Sequence, residues 1–505
     1  MKSTVKPISN VIIVGGGTAG WMAAASLATF LDNKSVSITL VESPSIGTIG
    51  VGEATIPGIR DFNFKLGIDE IDFIKKTQAT FKLGIEFIDW AKIGTRFFHP
   101  FGGYGSPLHG VAFHHFVTRL RHLGHNVDLN DYSISIAMAK SNKFAQPHPN
   151  PPTPLADFKY AYHFDAALYA SYLQNLAMQK SVKHISGEVT NVTVRPTDGF
   201  LESITLHDES KLTGDLFLDC SGFKGLLIEK VLHTAYEDWS GWLPCNKAIA
   251  AQSHLDEAPC PYTKAIACDA GWQWQIPLQH RMGNGYVYCD AFVEDDKAQS
   301  DFTARLSGEA SSPIRHLQFT TGRRKKFWHK NCVALGLAAG FLEPLESTSI
   351  SLIQTGLSKL ILFFPDMSFN QADIDEANRL AKLEFERIRD FLILHYASSN
   401  RTDSEFWRYC NNMVLPDSLA QKIELYKSRG HLINYEEESF QDNSWLTMYN
   451  GFNIEPNRYD PQANNIDPNR LIRDLWQMKQ LIKNAAQKSI SHAEFLQRHC
   501  AAPKP

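Results

Sequence analysis

The sequence lacks paired cysteines, long apolar runs and a strong charge of either sign. Its eight cysteines are scattered without a C-x-x-C pair, which excludes a disulfide framework and the usual spacing of a zinc site. We therefore expect no metal and a reducing compartment such as the cytoplasm. No apolar run reaches 18 residues, so no transmembrane helix is predicted. The 50 basic and 54 acidic residues give a net charge of −4, which favours a small-molecule ligand over nucleic acid.

The composition is that of a globular protein, with 43% hydrophobic and 21% charged residues among 505. This length exceeds what one hydrophobic core usually supports. We predict an α/β body over residues 1–371 and a smaller, mostly helical region over residues 372–505. Lys2 and Lys6 precede an apolar stretch that runs to Leu31, as in a signal peptide. The glycines within this stretch favour a strand, a turn and a helix instead.

The N-terminal residues have the pattern of a βαβ unit. Val11–Val14 is a β-branched run typical of a buried parallel strand, and Gly15–Gly20 follows it directly. A helical pattern comes next, and then a second strand over Ser37–Val41 that ends at Glu42. The turn reads G-x-G-x-x-G, and the acid lies 22 residues after its last glycine. The unit predicts a Rossmann-type fold that binds a dinucleotide.

Each glycine of the G-x-G-x-x-G motif has a physical role. Gly15 permits the tight turn, Gly17 lets a pyrophosphate approach the backbone, and Gly20 brings helix and strand together. Glu42 is placed to accept hydrogen bonds from a ribose. The motif alone leaves FAD and NAD both open. The predicted contacts to the dinucleotide are Gly15, Gly17, Thr18, Ala19, Gly20 and Glu42.

Three further regions have a distinct composition. Residues 142–156 contain five prolines and predict a loop. Short alternating bursts from Val182 to Asp219 predict an antiparallel meander. Beyond Ala372 the periodicity is mostly helical, most clearly from Ile374 to Tyr396.

Four segments together resemble the flavin-dependent halogenases of the tryptophan halogenase family. They are Trp21 after the glycine turn, G-V-G-E-A-T-I-P at 50–57, G-W-Q-W-Q-I-P at 271–277 and G-F-L-E-P-L-E-S-T at 340–348. The resemblance runs from about residue 10 to residue 460, and W-x-W-x-I-P is the family's diagnostic segment. It implies a box-like FAD domain related to flavin monooxygenases, with a helical region covering an organic substrate.

The resemblance also implies a two-component reaction. A separate reductase supplies reduced FAD, which reacts with oxygen and halide to give hypohalous acid, and an electron-rich aromatic such as an indole takes the halogen. No second nucleotide fingerprint occurs in the chain, which agrees with reduction by a partner enzyme. A homodimer is possible. A hydroxylating flavin monooxygenase and a non-catalytic flavin-binding protein are the alternatives.

The family's essential lysine matches Lys82, and its essential carboxylate matches Glu346. An amine can hydrogen-bond hypohalous acid or form a haloamine, which keeps a diffusible oxidant beside one carbon. Lys82 has a plainer alternative as a solvated lysine. The alternative interpretation of Glu346 is an acid in the first turn of a helix, where it complements the helix dipole. Glu343 is the weaker candidate because Pro344 constrains it.

The resemblance places the halide at Thr348 and Ser349, where backbone N–H groups suit a small anion. Well-known tryptophan halogenases carry glycine at the position of Ser349, where a side chain restricts the backbone and narrows the halide pocket. The halide is expected to be bromide, chloride or both, with bromide over chloride as the prediction. Trp272 and Trp274 point to one side of a strand and are expected to shield the flavin, with core packing as the alternative.

Substrate contacts are expected from His99 and Phe101, within an H-x-F segment, and from Trp445 as the opposing ring. The alternative for His99 is a structural histidine. Residues 434–440 lack the family's grip on the amino acid moiety of tryptophan, so we expect an indole rather than free tryptophan. Further FAD contacts are expected from Glu53, Ala54, Thr55, Gly336 and Leu337.

Overall fold

The computed structural model describes residues 6–31, 35–44 and 53–503. They group into two compact units, each assembled from three segments of the chain. The first unit comprises Met1–Gln78, Phe164–Pro244 and Gln318–Glu386. The second comprises Ala79–His163, Cys245–Leu317 and Arg387–Pro505. The division predicted from the sequence, an α/β body over residues 1–371 and a helical region over residues 372–505 that covers the substrate, remains a prediction.

The helices, in chain order, are α1 (Thr18–Phe30), α2 (Gly58–Lys65), α3 (Glu70–Lys76), α4 (Phe113–His122), α5 (Ile134–Lys140), α6 (Ala166–Gln179), α7 (Asp295–Ala304), α8 (Ser349–Leu362), α9 (Gln371–Ala397), α10 (Glu405–Asn411), α11 (Asp417–Arg429), α12 (Asp442–Gly451), α13 (Pro468–Lys488) and α14 (His492–His499). The long helix predicted over Ile374–Tyr396 is α9.

The strands are β1 (Asn10–Val14), β2 (Ser37–Glu42), β3 (Glu53–Ala54), β4 (Thr80–Lys82), β5 (Gly84–Ile88), β6 (Arg96–Pro100), β7 (Lys143–Phe144), β8 (Ala161–Phe164), β9 (Lys183–Ser186), β10 (Val189–Val194), β11 (Leu201–Leu206), β12 (Lys211–Thr213), β13 (Leu216–Asp219), β14 (Tyr236–Asp238), β15 (Lys247–Ser253), β16 (Thr263–Cys268), β17 (Gly271–Pro277), β18 (Met282–Tyr288), β19 (Arg315–Gln318), β20 (Gly322–Arg324), β21 (Trp328–His329), β22 (Cys332–Ala334), β23 (Gly340–Phe341) and β24 (Ile490–Ser491).

The core of the first unit is a six-stranded sheet in the order β21-β22-β13-β1-β2-β9. Its strands run parallel except for the edge strand β21, which is antiparallel to β22. The β-branched run Val11–Val14 is buried throughout because β1 has a strand on each side, β13 and β2, and contacts helix α1. The glycine turn leaves the carboxyl end of this central strand, which is where ligands bind in open α/β sheets.

The predicted meander is correct only in its middle part. Strands β10, β11 and β12 form an antiparallel sheet of three strands. Strands β9 and β13, at the two ends of the predicted region, belong instead to the parallel sheet. Alternating apolar and polar residues indicate a strand but do not identify the strand it pairs with, so the pattern could not predict that β9 and β13 join the parallel sheet.

The second unit is built on a seven-stranded sheet in the order β19-β15-β18-β17-β16-β5-β6. Most of its pairings are antiparallel, and β5 runs parallel to β16. Strand β4 comes directly before β5 in the chain but belongs to another sheet. It pairs with β8 in antiparallel register, with Lys82 opposite Ala161. In the part of the chain that is described, no helix is long and apolar enough to cross a membrane.

Candidate active site

The glycine turn of the first unit has no room for side chains at two positions. A Cβ on Gly15 would lie 2.2 Å from the carbonyl oxygen of Cys220, and its φ of +116° also favours glycine. A Cβ on Gly20 would lie 1.8 Å from the carbonyl oxygen of Gly15, which explains how helix and strand pack so closely. These two glycines are therefore required by the fold itself.

The amino end of α1 is open to a ligand. Its N-cap, Gly17, forms no side-chain capping bond, and the first turn contains no acidic residue. A Cβ on Gly17 would meet no atom within 4 Å, in contrast to Gly15 and Gly20. The N–H groups of the first helical turn, which begins at Thr18 and Ala19, are suited to an anion such as a pyrophosphate. The turn thus fits the phosphates of FAD.

Glu42 ends β2 beside the same turn. A Cβ on Gly16 would lie 2.1 Å from the carboxyl carbon of Glu42, so the middle glycine leaves space for the acid. His184 on β9 places its Nε2 3.2 Å from a carboxylate oxygen of Glu42, and Gln174 lies 3.3 Å from the other ring nitrogen. Gly16 and His184 are not among the residues predicted from the sequence. The triple glycine was a signal for the first, and no local pattern marked the second.

The structure brings Gly336 to the glycine turn. Gly336 begins a 3₁₀ turn with Leu337 after β22, and a Cβ on it would lie 2.9 Å from the Cβ of Ala19. Its φ of +62° again favours glycine. Two segments predicted to contact FAD thus meet within the first unit.

The remaining predicted cofactor residues follow the second strand of the chain. Ala54 closes β3, and Thr55 behind it is buried. The side chain of Glu53 lies outside the described residues, as do residues 50–52 of the predicted motif. The roles of these residues remain predictions.

Glu346 is completely buried and closes the 3₁₀ turn Pro344–Glu346. The alternative interpretation placed it in the first turn of a helix, but α8 begins three residues later, at Ser349. Ser347, between them, has a φ of +60°, a left-handed conformation that is uncommon for serine. The backbone therefore turns sharply between the carboxylate and the helix.

Thr348 is the N-cap of α8 and is also completely buried. Its side chain forms no capping bond, and its Oγ1 has no hydrogen-bond partner among the described residues. A buried hydroxyl without a partner is costly and indicates a missing ligand. The free N–H groups of a helix start add a preference for an anion. Thr348 and the partly buried Ser349 are thus suited to a halide.

Lys82 ends β4 in the second unit and is completely buried. Its Nζ lies 5.2 Å from the centre of the Phe101 ring, within the range of a cation–π contact. The structure therefore brings together the predicted catalytic lysine and one predicted substrate contact. Since Lys82 is buried, the interpretation as a solvated lysine is wrong.

His99 and Trp445 lie in one aromatic cluster of the second unit. The His99 ring lies 5.9 Å from Phe391 and 6.3 Å from Phe440, and its Nε2 is 2.9 Å from the Ser444 hydroxyl. Trp445 packs edge-on against the same Phe391 at 5.1 Å. Both His99 and Trp445 are buried. The rings of this cluster pack on one another, and contact with an aromatic substrate remains a prediction for His99 and Trp445.

Trp272 and Trp274 lie side by side on β17, with ring centres 5.9 Å apart, as their spacing predicted. Trp272 contacts Trp90 at 6.4 Å in the core of the second unit. The Trp274 ring covers Gly285, where a Cβ would lie 1.9 Å from it. The Trp274 Nε1 is buried without a hydrogen-bond partner in the described chain. Trp272 thus has core contacts, and shielding of flavin remains a prediction for both.

Comparison with known proteins identifies the family. The family model described as tryptophan halogenase matches residues 10–468. The chain belongs to the tryptophan halogenase family. Tryptophan 6-halogenase ThaL of Streptomyces albogriseolus is 38% identical over 446 residues, which cover 83% of this chain and 82% of that protein.

Solved structures of halogenases match over nearly the whole chain. BrvH, a flavin-dependent halogenase from Brevundimonas sp. BAL3, has a TM-score of 0.95 and 45% identity, covering 98% of this chain and 99% of its own. Xcc4156, a flavin-dependent halogenase from Xanthomonas campestris, has a TM-score of 0.95 and 42% identity, covering 99% and 100%.

These findings confirm the family, the FAD-binding Rossmann-type α/β fold with a helical region, and the enzyme class of flavin-dependent halogenase. They support halogenation of an aromatic compound as the activity, with a flavin and a halide as the family's requirements.

Proposed function

We propose that the enzyme uses reduced FAD, oxygen and a halide, with bromide preferred, to halogenate an electron-rich aromatic such as an indole. The observation that carries the proposal is the complete burial of Lys82 in a chain of this family. A lysine is rarely buried without a specific purpose, because removing an ammonium group from water is costly. Reactivity with an oxidant is such a purpose.

FAD is assigned to the glycine turn, with its pyrophosphate at the amino end of α1 and a ribose at Glu42. When bound and reduced, the flavin supplies the two electrons with which oxygen becomes an oxidant able to convert halide into hypohalous acid. The Nε2 of His184, on the neighbouring strand, lies 3.2 Å from the Glu42 carboxylate. The open space around Gly17 supports this placement.

Lys82 is assigned the capture of hypohalous acid, either through a hydrogen bond or as a haloamine. Both forms keep the oxidant at one position, so the halogen reaches one carbon of the substrate instead of diffusing away. The Phe101 ring lies beside the amine, with its centre 5.2 Å from Nζ, and helps to fix where the captured oxidant is held. In the haloamine route, the neutral amine displaces water from hypohalous acid as the nitrogen–halogen bond forms, and the nitrogen takes up a proton when the halogen passes to the ring. In the hydrogen-bonded route, the hydroxide of hypohalous acid takes up a proton as the halogen passes to the ring and leaves as water.

Glu346 is assigned the proton that the aromatic ring loses when the carbon–halogen bond forms. A buried carboxylate can polarise the oxidant and then act as the base for this proton. Thr348 and Ser349 are assigned the halide, with the unpartnered Thr348 hydroxyl as a donor to the anion. A side chain at Ser349, in place of glycine, keeps the N–H groups of the helix start further from an anion, which is the reason to propose a preference for bromide, the less strongly hydrated halide.

The aromatic substrate is assigned to the cluster around His99, Phe101 and Trp445. Relatives of this chain are named tryptophan halogenases, but residues 434–440 lack the grip on an amino acid moiety. An indole or a similar heterocycle needs flat stacking faces alone. A separate flavin reductase is proposed as the source of reduced FAD, and a homodimer and a cytoplasmic location remain predictions.

Mass spectrometry of an aerobic reaction tests the proposal. The mixture contains the protein, FAD, a flavin reductase with NADH, bromide and indole, and it is run beside Lys82→Ala and Glu346→Gln. Lys92→Ala and Glu188→Gln, at exposed positions of the same respective units, are the matched controls. The expected result is a bromine isotope doublet on indole that both site variants abolish and both controls keep.

Two other outcomes contradict parts of the proposal. If bromination survives in both site variants, free hypobromous acid performs the reaction, and the roles of Lys82 and Glu346 are wrong. If a panel of aromatic compounds with bromide and chloride gives hydroxylated products without halogen, the enzyme is a monooxygenase. If it gives no product while FAD binds, the chain is a non-catalytic flavin protein.

A further inference from the structure

One buried imidazole, that of His492 at the start of α14, joins two separate backbone segments of the second unit. Its Nε2 accepts a hydrogen bond from the backbone N–H of Phe81 at 3.2 Å. Its Nδ1 lies 2.7 Å from the carbonyl oxygen of Pro259. A carbonyl can only accept, so Nδ1 carries the proton and Nε2 presents its lone pair. Both ring nitrogens are thus committed to backbone groups.

These two segments hold the backbone on both sides of Lys82. Phe81 precedes the lysine, and Leu83 follows it with an N–H that donates to the carbonyl oxygen of Pro261 at 2.7 Å. Pro259 and Pro261 belong to one short segment, which His492 connects to β4. The strand pairs with β8 on one side, and the Phe81 N–H is directed to the imidazole instead of to a strand.

The side chains behind the strand reinforce this arrangement. Successive strand residues point to opposite faces, so Phe81 lies on the face away from Lys82. Its ring stacks on Phe144 with centres 4.1 Å apart and packs edge-on against Phe495 of α14 at 5.3 Å. Strand β24, directly before His492, pairs with β7, so that Ile490 is opposite Phe144. The C-terminal segment therefore forms the support against which β4 rests.

We propose that His492 is a positioning residue for Lys82. The role rests on the function proposed above, in which the Lys82 amine captures the oxidant. His492 lies beyond residue 468, where the match to the family model ends, and no motif marks it. The neutral imidazole accepts a hydrogen bond from the Phe81 N–H and donates one to the Pro259 carbonyl oxygen, so it fixes β4 in place. Without it, the buried Phe81 N–H would lack a partner, which is costly. Displacing a reactive group by about 1 Å can cost a large factor in rate.

The test measures how much of the oxidant reaches the substrate. His492→Phe keeps the ring and removes both hydrogen bonds, His492→Asn retains a donor towards Pro259, and His492→Gln retains an acceptor for Phe81. His125→Phe, at an exposed position of the same unit, is the control. Each reaction contains bromide, indole and reductase. Brominated indole is compared with hypobromous acid caught by a small β-diketone, both per NADH consumed.

In His492→Phe we expect total oxidised bromide to stay unchanged, while the ratio of brominated indole to trapped oxidant falls about tenfold. His492→Gln should recover part of the ratio, and His125→Phe should match the wild type. Hydrogen exchange of residues 79–84 should rise in His492→Phe and not in the control. If His492→Phe does not fold, His492→Asn, which lacks the acceptor alone, is compared instead and should show the same fall.

A folded variant with the wild-type ratio overturns the positioning role, even if its total oxidant is lower, because that result describes a general loss of structure. Unchanged hydrogen exchange at residues 79–84 overturns it as well. A wild-type protein that oxidises no bromide overturns the proposed function, and the positioning role with it. The two failures are therefore distinguishable.

Discussion

The Lys422 ammonium lies 4.0 Å from the centre of the Trp445 ring and forms an ion pair with Glu438. The side chains of Lys422 and Glu438 are 4% and 2% exposed. One face of the predicted substrate-stacking tryptophan is thus occupied by a cation that the protein itself supplies. Any aromatic ligand that stacks on Trp445 must use the other face.

Removing one member of this pair should be strongly destabilising. In Glu438→Gln the ammonium stays buried without its counter-charge, which costs about 3–5 kcal/mol of unfolding free energy. The double variant Lys422→Met with Glu438→Gln should recover a large part of that loss. The measurement is urea unfolding followed by tryptophan fluorescence.

The control for this pair is on the same helix. Glu424 and Lys427 of α11 form an exposed pair at 3.5 Å, and Glu424→Gln should change the unfolding free energy by less than about 1 kcal/mol. Equal effects of the buried and the exposed substitution would contradict the expected cost of a stranded charge.

Two alanine substitutions in the glycine turn should have different effects, one on the affinity for FAD and the other on the stability of the fold. Gly17→Ala places its methyl group in open space, so the melting temperature without FAD should not change. The same methyl group lies where a pyrophosphate approaches the helix, so the affinity for FAD should fall by about tenfold or more. Gly20→Ala collides with the Gly15 carbonyl oxygen and should lower the melting temperature itself.

Flavin fluorescence quenching measures the affinity, and a thermal melt of the protein without FAD measures the fold. Gly241→Ala, at an exposed position where an added Cβ would meet no atom within 4 Å, is the matched control and should change neither. A Gly17→Ala protein that binds FAD like the wild type would place the pyrophosphate elsewhere.

How much of this architecture a sequence predicts depends on the range of the interactions. The turn at Gly15–Gly20 and the helix α9 were predictable because their signals are contiguous in the chain. The contact of Phe81 with His492 spans 411 residues and left no pattern. The same holds for His184, which reaches Glu42 only because β9 pairs with β2.

Each of the two compact units takes three segments of the chain, and the contacts that join such distant segments leave no contiguous signal in the sequence. The glycine turn and Glu42 were predicted from their spacing, whereas Lys82 and Glu346 came from the family resemblance, since a lone lysine or glutamate carries no signal of burial. The burial of Lys82, Glu346 and Thr348 is what the structure adds to those motifs.

His492 should make the stability depend on pH. Burial lowers the pKa of its imidazole to about 4, from a usual value of 6.5. Between these values the unfolded chain binds a proton that the folded chain rejects, so the unfolding free energy falls as the pH decreases from about 7 to 4. One such group contributes about 2 kcal/mol of loss between pH 7 and pH 5.

Urea unfolding of wild type and His492→Gln at pH 7 and pH 5 measures this contribution. The wild type should lose about 2 kcal/mol more than the variant over this interval, because the variant has no imidazole to protonate. His125→Gln, at an exposed position, should lose as much as the wild type. Equal losses in His492→Gln and wild type would mean that this imidazole is not buried in solution.

The halide preference should depend on Ser349. This residue opens α8 directly after the buried Thr348. In the proposed halide site, we expect its side chain to limit how closely the helix N–H groups approach an anion. Chloride is smaller and more strongly hydrated than bromide, so it needs closer contacts to repay its dehydration. Ser349→Gly removes the obstacle and should raise the ratio of chlorinated to brominated product by about threefold in an equimolar halide mixture, a difference of roughly 0.6 kcal/mol.

Mass spectrometry of the competition reaction measures this ratio directly within one sample, so differences in total activity do not affect it. Ser351→Gly, two residues further along the same helix, is the control for the loss of a serine side chain and should leave the ratio unchanged. A ratio that moves equally in both variants would reflect the flexibility that glycine gives to a helix. A ratio that moves in neither would mean that the Ser349 side chain does not narrow the halide site.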